Sequence, residues 1–186
     1  MLEAIQQSET TAATIVPVVP PALPAAMRNL SAYLEAIWEQ YFVDLPRVNV
    51  VQIGYCYPWK TRLGLIRLSL DQKTTFIGIN ALLQLQQIPE YVLITTIAHE
   101  LTHYAHGFGS PLPRLCKHPH ANGVVDRELE RRHLGDYLCK CNTWIDEHWY
   151  PFYDAQGSLI CRLRSSRARA RFARGDAAGV KRNTVI

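Results

Sequence analysis

At 186 residues, with 48% apolar and 19% charged side chains, the chain is long enough to bury one sizeable core and too mixed in character to be disordered or fibrous. No run of about eighteen apolar residues occurs, so no segment reads as a membrane span. The net charge of +4 is unevenly placed: from Cys161 to Ile186 eight basic residues face Asp176 alone, a balance of +7 that leaves −3 for residues 1–160.

Residues 1–26, rich in Ala, Thr, Val and Pro, have neither helical nor strand periodicity and read as a flexible leader. They lack the basic start and apolar run of a secretory signal and hold Pro17, Pro20, Pro21 and Pro24. The five cysteines (Cys56, Cys116, Cys139, Cys141, Cys161) are odd in number and irregularly spaced. Together these features predict a cytoplasmic protein with reduced thiols.

From Met27 the pattern turns helical, with Leu30, Tyr33, Leu34, Ile37, Trp38 and Tyr41 at spacings of three and four and Pro46 ending the segment. Three short runs rich in β-branched and aromatic residues follow, Val48–Tyr57, Leu63–Leu70 and Thr75–Ile79. Turn-prone residues 58–61 and 71–73 separate them as hairpin loops would, which predicts a small antiparallel sheet. A helix is expected from Ile88 to about His106, with Pro89 in its first turn. Gly107–Pro113 reads as a loop and Val124–Leu138 as a further helix. The expected fold class is α+β, with one domain over residues 27–158 and a basic, disordered tail over 159–186.

The central helix carries His99-Glu100-Leu101-Thr102-His103. Residues i and i+4 of a helix point the same way one turn apart, so His99 and His103 can reach one metal. Ile94, Ile97, Leu101 and Tyr104 form the opposite, packing face. Zinc held this way acidifies a water and polarises a carbonyl, and the neighbouring Glu100 can act as general base. The pattern therefore predicts one catalytic zinc per chain and hydrolysis of peptide bonds in a protein or peptide substrate.

A catalytic zinc usually takes three protein ligands. His106 lies roughly 10 Å along the helix from His99, too far to share its metal. His118, His120, Glu128 and Glu130 lie beyond the loop. His120 is favoured because enough chain precedes it to fold back over the helix and a helix follows directly. His118 is the next choice, and Glu128 would give a two-His, one-Glu site. The plain reading of Glu128 and Glu130 is a charged helix face beside Arg127, Arg131 and Arg132. A second, structural zinc on Cys116, Cys139, Cys141 or Cys161 would need a spacing unlike known cysteine sites. Arg127, His133 and Tyr137 could polarise a substrate carbonyl or could simply pack.

Residues 97–103, preceded by Ile77-Gly78-Ile79-Asn80 and followed at a distance by His120 and Val124, resemble the SprT-like zinc metalloproteases. The resemblance covers roughly residues 28–155. It implies a minimal zincin-like core in which the third zinc histidine lies beyond a loop, here His120, although Ala121 stands where that family usually has glycine. Members of that family include proteases that degrade proteins crosslinked to DNA, and several carry a four-cysteine ribbon that Cys139-x-Cys141 does not match.

Arg162, Arg164, Arg167, Arg169, Arg171 and Arg174 nearly alternate with small residues and could neutralise phosphates without reading sequence, so DNA is an expected partner. A merely solubilising tail has the same composition. The rival to the peptidase is a non-catalytic, zinc-stabilised DNA-binding module. It would need four closed ligands and no adjacent carboxylate, so Glu100 favours the enzyme.

Overall fold

The computed structural model describes residues 28–173, and the leader lies outside them. Helix α1 spans Leu30–Tyr41 and is capped by Asn29, whose side chain accepts from the Ala32 amide at 3.2 Å. Strands β1 (Val50–Tyr55), β2 (Gly64–Leu68) and β3 (Thr74–Ile79) follow. A 3-10 turn over Ala81–Gln84 leads to α2 (Glu90–Ala105), then come α3 (Val124–Arg131) and α4 (Gly135–Trp144). A π-helical segment, Ile145–Trp149, joins α4 to α5 (Tyr150–Ala155), and α6 runs from Gly157 to Ala173.

The fold is α+β, as expected, but its sheet is mixed rather than antiparallel. The strand order is β1-β3-β2, with β1 parallel and β2 antiparallel to β3. Only the second predicted turn makes a hairpin. There Asp71 Oδ1 accepts from Ser69 Oγ and the Lys73 amide at 2.6 and 3.1 Å, and Gln72 adopts a left-handed φ of 58°. Residues 58–62 instead carry the chain past β3 to its far edge. Their carbonyls bond outside the sheet, to Asn80, Trp149 and Tyr153. A turn-prone stretch between two apolar runs cannot by itself distinguish these outcomes.

Helix α2 is the axle of the core. Val92, Leu93, Ile97, Ala98, Leu101 and Tyr104 on it are fully buried, and it contacts α1, α3, α4 and β2. The apolar stripe of α1 packs there, with Trp38 edge-on to Tyr104 at 5.3 Å between ring centres. Proline is the residue just outside α2, Pro89, where its missing amide leaves no helical bond unmade. The helix stops at Gly107, whose φ of +76° and close approach to the Pro113 carbonyl leave no room for a Cβ.

The expected helix 124–138 is two helices, and neither is the last. His133 takes a left-handed φ of 61°, the Leu134 amide bonds back to the Leu129 carbonyl at 2.9 Å, and Leu134 is thereby buried. Burial of Leu134 redirects the chain so that α4 lies against α2. The boundary drawn between domain and tail also moves. Residue 159 falls inside α6, where Ile160 is buried and Leu159 and Leu163 pack on the core, so the basic stretch to Ala173 continues a helix. Among the described residues no helix is long and apolar enough to cross a membrane.

Candidate metal centre

His99 and His103 project from the same face of α2, with their Nε2 atoms 3.0 Å apart. The loop after α2 brings His120 over them, its ring centre 4.6 Å from that of His103 and 5.4 Å from that of His99. One ring nitrogen from each of the three lies within 4.8 Å of the others. Burial, reinforced by the neighbouring imidazoles, lowers the His99 pKa to about 4 and the His103 pKa to about 3. Asp126 opposes the shift at His99.

The donor set fits a metal ion. Imidazole nitrogens converge with no carboxylate or amide among them, and His99 and His103 are held neutral with lone pairs available. Three histidines with open space beside them match a site that keeps a position for water or substrate.

Glu100 is buried on the side of α2 facing β2. Burial pushes its carboxyl up to about 8, against the opposing field of Arg62. Its carboxylate lies against the Cα of Gly64, the first residue of β2, where a Cβ would clash with Oε1 and approach Thr96 Cγ2 to 3.0 Å.

These groups share a cleft of about 670 Å³. One wall is the start of β2, Leu63 to Ile66, an edge strand of the sheet. The other includes Leu138, Cys141, Asn142 and Ile145, which recur at three and four residues along α4 and its continuation.

The remaining sequence candidates lie elsewhere. His118 is exposed and outside the histidine cluster. Glu128 is held by Arg131 at 2.6 and 2.9 Å and by Arg132 at 2.7 Å, and these guanidinium bonds lower its pKa. Arg132 also bonds Asp44 and the Tyr41 carbonyl, so Glu128 belongs to a clasp on the end of α1. His106 is buried away from the cluster. Arg127 bonds the Asn122 carbonyl, and His133 and Tyr137 line a separate hollow with Tyr41 and Asp44. Arg162 and Arg164 are exposed on α6. The side chains of Arg167, Arg169 and Arg171, and the whole of Arg174, lie outside the described residues.

Arg62, Gly64 and Asp126 at the cleft were not singled out from sequence. Comparison with family models, with curated proteins and with solved structures returned no match.

Proposed function

We propose that this chain is a zinc-dependent metallopeptidase in which His99, His103 and His120 hold one zinc ion and Glu100 is the general base. The observation that carries this reading is the buried Glu100 carboxylate beside three converging imidazoles, all opening on one cleft. When bound, zinc supplies a Lewis acid that acidifies water and polarises a carbonyl.

The chain's own residues do the rest. His99 and His103 offer neutral nitrogens from one turn of a rigid helix, and His120 closes the set from a loop. Glu100 takes a proton from the attacking water on its carboxylate and returns it to the departing amine nitrogen. Its high proton affinity in the bare site keeps it from being a strong acid, and a dication nearby would favour its ionised form. β2 offers unpaired backbone groups along the cleft, to which an extended peptide can add as a further strand.

The same proposal makes the chain a divergent SprT-like protease working in the cytoplasm on DNA-associated proteins. Its support is the histidine delivered by the loop, the five free thiols and the exposed Arg162 and Arg164.

The deciding experiment is Glu100→Gln, nearly isosteric, assayed on an unstructured protein with and without DNA. Zinc content and fold should persist while hydrolysis falls by about 100- to 10,000-fold, the usual worth of a general base. A zinc-loaded wild type that hydrolyses no peptide, or a Gln variant that cleaves equally fast, would leave the site a structural one.

A further inference from the structure

Arg62 stands where the incoming segment 58–62 becomes the edge strand β2. Its backbone is fixed: Asn80 Nδ2 donates to the Arg62 and Trp59 carbonyls at 2.7 and 2.8 Å, Trp149 Nε1 to that of Lys60 at 2.7 Å, and Tyr153 Oη to that of Pro58 at 3.1 Å. The side chain is exposed, with the Trp59 ring 6.0 Å from its guanidinium carbon. Among the described residues the guanidinium has neither ion pair nor hydrogen bond. It is also the one Lys or Arg there that lines the cleft.

A fork of donors on a fixed backbone, on the same cleft as the three histidines and with no hydrogen-bonded or ion-paired partner among the described residues, matches a planar anion. Among the described residues Arg62 is the only Lys or Arg on the cleft wall, and Glu100 and Asp126 line the same cleft, so a single negative charge is compensated there better than a doubly charged group. We propose that Arg62 is a carboxylate anchor, and that the cleft prefers peptides carrying a carboxylate beside the bond to be broken. The carboxylate is that of an acidic side chain or of a free chain end. The inference rests on the peptidase reading for its substrate class and not for its ligand chemistry.

Binding tests it without turnover. Zinc-loaded Glu100→Gln protein is titrated with a neutral, end-capped peptide in which Glu or its isostere Gln is placed at each position in turn, and with the same peptide uncapped at its C-terminus. The expected result is a roughly tenfold tighter complex for Glu over Gln at one position, or for the free over the capped end. Which arm shows the gain identifies the source of the carboxylate. In an Arg62→Gln background the ratio should collapse toward one, Arg62→Lys should retain part of it, and Arg62→Glu should favour a Lys-bearing peptide instead.

An Arg62 that serves only Glu100 or the loop would lower all complexes alike and leave the ratios intact. Equal binding of every twin, or a preference that survives Arg62→Gln, overturns the anchor. Arg62-dependent binding without any hydrolysis by wild type would overturn the peptidase reading and leave the anchor standing. Cleavage of Glu and Gln twins at equal rates, with equal binding, would do the reverse.

Discussion

The carboxylate of Glu100 rests against the bare Cα of Gly64, a residue on another element and at the head of the edge strand. In Gly64→Ala the new methyl would meet Oε1 and press on Glu100 Cγ and Thr96 Cγ2, each at 3.0 Å. Overpacking of this kind costs about 1–3 kcal/mol. Under the proposed function hydrolysis should fall by about 10- to 100-fold, because the displaced group is the proposed base. Thermal melts, zinc content and kcat/KM together check this; activity at the wild-type level would mean that Glu100 has room to move.

The ligand set is tested by metal analysis after dialysis. His120→Ala, like the His99→Ala, His103→Ala pair, should take the protein from one zinc per chain to almost none. His118→Ala and Glu128→Ala should retain it, since His118 is exposed away from the cluster and Glu128 is occupied by Arg131 and Arg132. Loss of zinc from Glu128→Ala with the fold intact would replace His120 by a carboxylate.

Removing the metal should expose two opposing pH dependences. His99 and His103 stay neutral in the fold to about 4 and about 3, whereas in the unfolded chain they take protons near 6.5. The unfolded state then binds more protons, and stability falls as pH drops below about 6.5. Glu100 keeps its proton to about 8 in the fold against 4.5 unfolded, so here the folded state binds more and stability falls as pH rises. Between about 6.5 and 8 only the Glu100 effect operates. Urea unfolding of metal-free protein should therefore show a decline over that interval that Glu100→Gln removes. A decline of equal size in the variant would assign it to another group.

Truncation after Leu163 spares the packed residues of α6 and removes seven basic residues together with Asp176. Any affinity for DNA should weaken and its salt dependence flatten, while zinc content stays at one per chain. Fluorescence anisotropy across a salt series reads both; an unchanged slope would place the DNA contact on the domain itself.

What could be read from sequence was local. Two histidines four residues apart declare their shared helix face directly, and the approach of His120 to them is expected from chain length and a neighbouring helix. The parallel pairing of β1 with β3 could not be read, because residues 58–62 look like a hairpin loop until Asn80, Trp149 and Tyr153 claim their carbonyls. Gly64 acquires meaning only from Glu100, a residue far away in the chain, and Arg62 only from the cleft it lines. The break at His133 depends on Leu134 gaining a buried seat, a tertiary effect that helical propensity does not report.

Four of the bonds that fix segment 58–62 end on its main-chain carbonyls, which every amino acid carries, and one more joins the Lys60 side chain to Asp154 at 2.8 Å. The exposed Arg62 side chain, which makes none of these bonds, is therefore free to diverge while the rim of the cleft keeps its shape. Natural variation or laboratory selection could replace Arg62 by a residue of another charge or size, and the newcomer would be presented from the same fixed point. A scaffold so arranged separates what holds the cleft wall in place from what faces the cleft, so under the proposed function selectivity could be rewritten at this one position without refolding the protein.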